Sequence, residues 1–293
     1  MAPGPNRRGD HLDHSLAPPR VGVKLPSRIV TPGEFLADAE AYEAAGADSL
    51  WVGPDAFRPA DDAREVAGLD PWTRLAAIAA VTHRVQLGTS VAIIAQWPPL
   101  LFAQMLASLE QLSRGRMIIG AGAGDPSQLE AVGIPSEQGA ARLGEFIEVV
   151  RAIWRGEPKA FEGRFYRKPA TWAVRSARDG GPPILIAGLL EGALTQAATV
   201  SDGFIHQGGP PEDVKKEFDR VLQLRQESGG EGEFQLWVQV PPPRGREAWR
   251  ETLRGYGQAG ASGVIVGHAP NLLDILRNPD TDDDSQDFLI ATG

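Results

Sequence analysis

Between about residue 21 and residue 277, short apolar runs alternate with longer stretches in which apolar residues recur at helical spacing. Val21-Gly-Val-Lys-Leu-Pro26 predicts a first strand. Thr31-Pro-Gly-Glu34 then supplies an N-cap, a proline at the first helical position and a capping-box glutamate, and the helix it starts ends at Gly46. Ser49-Leu-Trp-Val52 predicts a second strand, and Asp70-Pro71 repeats the cap-plus-proline signal ahead of Leu75, Ile78 and Ala79. Residues 84–91 form a third strand. Pro98-Pro99 opens a helix with Leu101, Met105, Leu109 and Leu112 on one stripe, and Gly115 stops it before a fourth strand at Met117-Ile-Ile119. The helix after that carries Leu143, Phe146, Ile147, Val150 and Ile153 and ends near Gly156. The second half repeats the scheme, with strands at 184–187, 203–205, 234–240 and 263–267 and helices at 191–200, 212–226 and 246–258, then a short one from Asn271.

Eight strand-helix units is the count of a (β/α)8 TIM barrel, an α/β fold whose parallel strands are buried on both faces. An open doubly wound sheet is the alternative, because a count does not establish closure. Within the irregular interval 155–183, Phe161-Glu-Gly-Arg-Phe-Tyr166 predicts a hairpin inserted between strands four and five. The domain plan is a flexible tail over 1–20, one barrel domain over 21–277 and an acidic tail over 278–293. His11 and His14 lack further ligands nearby. The aspartates at 280, 282, 283, 284 and 287 lack the turn glycine and closing glutamate of a calcium loop, so no metal site is expected.

Composition narrows the chemistry. With 38 acidic residues against 29 lysines and arginines the net charge is −9, which repels phosphate backbones, and no nucleic-acid partner is expected. The absence of cysteine excludes disulfides, thiolate metal sites and cysteine nucleophiles. No apolar run approaches the roughly 18 residues of a membrane span, so a cytoplasmic protein with no membrane partner is expected. The chain has no G-x-S-x-G elbow, H-E-x-x-H pair or Walker loop.

In a barrel of this kind chemistry sits where strands end. Those positions are Lys24, Asp55, Ser90, Asp125, Gly188, His206, Gln239 and His268. Gly120-Ala-Gly-Ala-Gly124-Asp125 comes directly off a strand but lacks the third glycine of a Rossmann fingerprint; its small residues suit either the backbone's close approach to a flat ligand or the taper of a barrel. Ala187-Gly188 ahead of a helix is a candidate phosphate cradle. His206 and His268 suit donors to a substrate, or structural histidines.

Taken together, Ser49-Leu-Trp-Val52 with Asp55, Asp70-Pro71-Trp72, Arg84-Val-Gln-Leu-Gly-Thr-Ser-Val91, Gly115-Arg116 through Asp125, and Phe161 through Tyr166 resemble the luciferase-like monooxygenase superfamily in order and spacing. Gly88-Thr-Ser-Val91 and the glycine loop closing on Asp125 look most like its branch that uses the deazaflavin coenzyme F420, including methylenetetrahydromethanopterin reductase-like enzymes. The resemblance implies a non-prolyl cis peptide at Ser90–Val91, a bulge behind the coenzyme ring. It implies a coenzyme site of Asp55, Thr89, Ser90, Val91, Gly122, Ala123, Gly124, Asp125, Ala187, Gly188 and Leu189. It further implies hydride transfer to or from a small-molecule substrate; we expect that substrate near Lys24, which stands where some relatives have an acidic residue, and near Trp51, Trp97, Tyr166, Gln239 and His268, with Asp55, Asp125 and His206 as candidate catalytic groups. Trp97 suits the core equally.

This chain departs from many relatives in having Ala56 where they carry a proton-handling histidine, which disfavours alcohol oxidation and favours reduction of a C=N or C=C bond. Two other readings stay open: an FMN-dependent monooxygenase fed by a partner flavin reductase, and a coenzyme-binding protein without turnover. The resemblance also implies a homodimer through helices two and three, whose apolar stripes are equally explained by packing on the barrel.

Overall fold

The structure is a computed structural model that describes residues 18–26, 31–53, 69–188, 190–279 and 281. The two ends, Pro54, Asp55, Ala56 and Leu189 lie outside the described residues. Eight parallel strands close into a barrel: β1 (Arg20–Lys24), β2 (Ser49–Val52), β3 (Gln86–Ala92), β4 (Met117–Gly122), β7 (Ile184–Ala187), β8 (Gly203–His206), β9 (Gln235–Val240) and β10 (Gly263–Gly267). Closure is made by β1, which pairs with β10 on one side and β2 on the other. That settles the barrel against the open sheet. Two short strands, β5 (Phe161–Glu162) and β6 (Arg167–Lys168), pair antiparallel outside the barrel.

The helices around the barrel are α1 (Pro32–Ala44), α2 (Pro71–Val81), α3 (Pro99–Leu112), α4 (Pro126–Ala131), α5 (Gly139–Trp154), α6 (Glu191–Val200), α7 (Pro211–Glu227), α8 (Arg246–Gln258) and α9 (Leu272–Arg277). The caps act as their residue types dictate. Thr31 Oγ1 accepts from Glu34 N at 3.2 Å and donates to the Glu34 carboxylate at 2.9 Å, and Asp70 Oδ1 accepts from Thr73 N at 2.9 Å. The sequence reading missed α4, whose start Asp125-Pro126 carries the same signal as Asp70-Pro71.

Residues along each strand face the barrel interior and the helix shell in alternation. Trp51, Ile118, Leu185, Ala187, Ile205, Trp237 and Ile265 form the interior cluster, separate from the larger core between strands and helices. Two indoles fill the barrel, 5.1 Å apart between centroids and edge to face. They fit because facing positions are glycine. A Cβ on Gly22 would lie 2.3 Å from Trp51 Nε1, and one on Gly88 would lie 2.5 Å from Trp51 Cε3. At the N-terminal end Arg20 donates to Gln235 at 2.9 Å and Gln86 at 3.3 Å, with its guanidinium 4.9 Å from the Trp237 ring centroid, so this end is plugged by a satisfied polar layer. Burial lowers the Arg20 pKa, and Glu233 and Asp48 oppose that shift.

Candidate active site

With the N-terminal end plugged, the open end is where the strands finish. Alternation sets which residues face it. Trp237 and Gln239 share the inward face of β9, while Val238 and Val240 pack outward. On β1 the inward residues are Arg20, Gly22 and Lys24; on β4 they are Ile118, Gly120 and Gly122. The registers Lys24↔Gly267 and Gly122↔Ala187 place these ends at matching heights. The mouth therefore has two unlike halves. Over β3, β4 and β7 its floor is Val91, Gly122 and Ala187, all small or apolar; over β8, β9 and β1 it carries Gln207, Gln239 and Lys24.

The small-residue half contains the irregular end of β3. The Ser90–Val91 peptide is cis, and the pairing of β3 with β4 shifts register between Thr89 and Ala92. Val91 packs on the interior cluster from above. Ser90 is 1% exposed, and its Oγ is buried without a hydrogen-bond partner. Thr89 is anchored by its own hydroxyl, which donates to Gly120 O at 2.8 Å. β4 approaches so closely here that a Cβ on Gly120 would lie 2.0 Å from Thr89 O, and one on Gly122 would lie 3.0 Å from Val91 Cγ2.

Beyond β4, Ala123 and Gly124 lead into Asp125, the N-cap of α4. Its Oδ1 accepts from Ser127 Oγ at 2.5 Å and from Ser127 N at 2.9 Å. These bonds, the hydroxyl's first, hold the carboxyl below the usual aspartate range. Asp125 is thus an exposed, ionised cap at neutral pH, a poor proton donor. After β7 and Gly188, Leu190 is 80% exposed and leads into α6, which no side chain caps. Glu191 in its first turn is tied to Arg220, whose Nε donates at 3.1 Å.

Both histidines at strand ends face the helix shell and not the mouth. His206 follows inward-facing Ile205 and packs edge-on against Phe204 and Phe218. Its Nδ1 accepts from Gly208 N at 3.0 Å, so the neutral ring carries its proton on Nε2, which lies 3.0 Å from Glu217 Oε2 without hydrogen-bond alignment. In this orientation His206 faces α7 and not the mouth. His268 Nδ1 lies 2.9 Å from Tyr42 Oη on α1. The residue that does face the mouth after β8 is Gln207, which the sequence reading overlooked: its Oε1 accepts from Gln239 Nε2 at 3.0 Å.

Three candidates for a substrate wall are placed inside the protein's packing. Trp51 is fully buried in the barrel and donates its indole N–H to Ser49 Oγ at 2.8 Å. Tyr166 is buried, and its hydroxyl donates to Ala95 O at 2.6 Å, fastening the segment after β3. Burial raises its pKa. Trp97 is half-buried against the outer core. Tyr166 is held in turn by Glu145, whose carboxylate accepts from Arg164 N at 3.0 Å and from Phe165 N and Tyr166 N at 2.7 Å each. Among the described residues no cluster of three His, Asp or Glu is placed to hold a metal, and no described helix is long and apolar enough to cross a membrane.

The family profile for luciferase-like monooxygenase matches residues 14–285. The chain belongs to that family. An uncharacterized protein of Mycobacterium tuberculosis is 32% identical to this luciferase-like oxidoreductase over 216 residues, 68% of this chain and 74% of its own length. An F420-dependent glucose-6-phosphate dehydrogenase of Kineococcus radiotolerans is 34% identical over 215 residues, 70% of this chain and 61% of its own. Among solved structures, a monooxygenase of Streptomyces bottropensis is 26% identical with a TM-score of 0.66, covering 82% of this chain and 77% of its own. An F420-dependent secondary alcohol dehydrogenase bound to an F420-acetone adduct shares the fold, with a TM-score of 0.76 at 16% identity over 89% of this chain and 98% of its own.

Proposed function

We propose that this luciferase-like oxidoreductase binds coenzyme F420 across the small-residue half of the barrel mouth and moves hydride between it and a small organic substrate. The observation that carries the reading is the end of β3. A buried Ser90 hydroxyl without a partner adjoins a floor of Val91, Gly122 and Ala187, and an unsatisfied buried hydroxyl is costly unless something bound supplies its partner. The relatives named F420-dependent support the same coenzyme. Gly122 and Val91 give a flat ring a small, apolar floor, Ser90 offers it a hydrogen bond, and the uncapped start of α6 offers free N–H groups to its phosphate end. When bound, the deazaflavin supplies a two-electron hydride donor or acceptor.

What the chain contributes is position and water exclusion. The Tyr166–Ala95 bond and the Glu145 anchor hold the 161–166 segment against the rest of the barrel. Asp125 stays ionised as a cap and His206 faces α7, so neither delivers a proton into the mouth. Reduction of a polarised double bond, completed by a solvent proton, suits this site better than alcohol oxidation, which needs a base. We further propose, from the family resemblance alone, that the protein acts as a homodimer.

The monooxygenase of Streptomyces bottropensis, at 26% identity, supports a second reading in which FMN and oxygen replace F420 and a flavin reductase is the partner. Fluorescence titration of the purified protein separates the two. Micromolar binding of F420 with FMN much weaker is expected; the reverse preference supports the oxygen-using reading, and binding of neither overturns the coenzyme site.

A further inference from the structure

The polar half of the mouth holds a pair of neutral amides. Gln239 follows Trp237 on the inward face of β9, and Gln207 follows Ile205 on the inward side of β8, one residue beyond the outward His206. Their side chains meet, Gln239 Nε2 donating to Gln207 Oε1 at 3.0 Å. A carboxamide has two donor hydrogens and an acceptor oxygen with two lone pairs, so one mutual bond leaves the pair an NH2 group on one residue beside a carbonyl oxygen on the other. This holds whichever way both amides are flipped. Neither has another protein hydrogen bond among the described residues. Lys24, the charged residue on this half, is engaged within the chain.

The pair is also held still. Gly208 N, adjacent to Gln207, donates to His206 Nδ1 at 3.0 Å, and the His206 ring packs edge-on against Phe204 and Phe218. A Cβ on Gly208 would lie 2.7 Å from Gln239 O, so the two strand ends come together only because residue 208 is glycine. A donor and an acceptor set side by side on rigid strand ends match a ligand edge offering an acceptor beside a donor.

We infer that Gln207 and Gln239 select the substrate, and that it is an uncharged molecule presenting a carbonyl oxygen next to an N–H or O–H, as in an amide, a lactam or a hydroxy ketone. The inference rests on the mouth being the substrate site of the proposed oxidoreductase. A phosphate or carboxylate leaves the amide oxygen facing an anion, and the net charge of −9 adds a repulsive field. His206 is a positioning residue for this pair.

Saturation-transfer NMR with three probes built on a six-membered ring tests this: δ-valerolactam, cyclohexanecarboxylate and cyclohexyl phosphate. With wild-type protein the lactam shows transfer and both anions show little. Gln207→Leu with Gln239→Leu weakens lactam binding about tenfold or more while coenzyme titration is unchanged. Gln239→Glu, which keeps an acceptor beside the Gln207 amide, retains lactam binding. Preference for either anion, or lactam binding that survives the double replacement, overturns the inference. The coenzyme titration is read separately: absent F420 binding with an intact lactam response sinks the proposed function alone, and F420 binding with no lactam response sinks this inference alone.

Discussion

Replacing Gly120 by alanine probes the link between the barrel interior and the coenzyme half of the mouth. The added Cβ would lie 2.0 Å from Thr89 O and 2.8 Å from Ile205 Cδ1, whereas ordinary contacts begin at 3.4 Å. The first obstacle is backbone and cannot rotate away, so the end of β3 must retreat from β4 by more than about 1 Å, working against the Thr89 hydroxyl bond to Gly120 O. Overpacking of this kind costs roughly 1–3 kcal/mol, and a backbone obstacle puts Gly120→Ala near about 3 kcal/mol. At roughly 2–4 °C per kcal/mol for a large domain, the melting temperature should fall by about 6–12 °C. Because Ser90 and Val91 follow Thr89 directly, F420 affinity should fall at least about tenfold as well. The control is the same chemical change in Gly33→Ala, where nothing lies within 4 Å of the new Cβ in the first turn of α1; it should raise stability by about 0.5 kcal/mol. Scanning calorimetry and coenzyme titration on both variants provide the readout. A Gly120→Ala protein that melts within about 1 °C of wild type and binds F420 equally well would refute the packing argument.

Other expectations follow from single groups. Ser90→Ala removes a hydroxyl with no partner, so the free protein should be as stable as wild type or more stable by about 1 kcal/mol, while F420 affinity drops several-fold; a destabilised free protein would mean that the hydroxyl is satisfied within the chain. Glu145→Ala takes the acceptor from three backbone N–H groups and should speed hydrogen exchange at Arg164, Phe165 and Tyr166 with little change in the barrel strands; unchanged exchange there would contradict the anchor. Burial raises the pKa of all three tyrosines, Tyr42 from 10.0 to about 12 and Tyr166 and Tyr256 in the same direction. The folded state therefore favours the neutral phenol. This stabilisation is complete below pH 10 and is lost as pH rises towards the folded values, so phenolate absorbance should appear above pH 10 together with a falling melting temperature; ionisation of any tyrosine at or below pH 10 in folded protein would disprove the burial account.

The elements most legible in the sequence are those with chemical punctuation at both ends. The strands at 49–52 and 263–267 and the helix at 246–258 have the predicted bounds, and Asp70-Pro71 marks the start of α2. The short α4 went unread although Asp125-Pro126 carries the same signal, because the glycine run before it drew Asp125 into a coenzyme role and only Leu129 of that helix is buried. The site was less legible than the fold. Parallel barrel strands are apolar on both faces, so Gly203-Phe-Ile-His206 does not say which side is the interior. Only the packing shows Ile205 inside and His206 outside, which leaves Gln207 as the side chain facing the mouth after β8. The same ambiguity hid Trp51, whose place in the barrel depends on glycines at 22 and 88 from neighbouring strands.

The central claim is that F420 lies over Gly122 and Val91 on the small-residue half of the mouth. Calorimetric titration of F420 into wild type and Gly122→Val tests it most directly, because the new side chain enters that floor at the strand end. Micromolar binding by wild type and none by a folded Gly122→Val protein is the expected result. Equal binding by the two proteins, or a preference of wild type for FMN, would contradict the account.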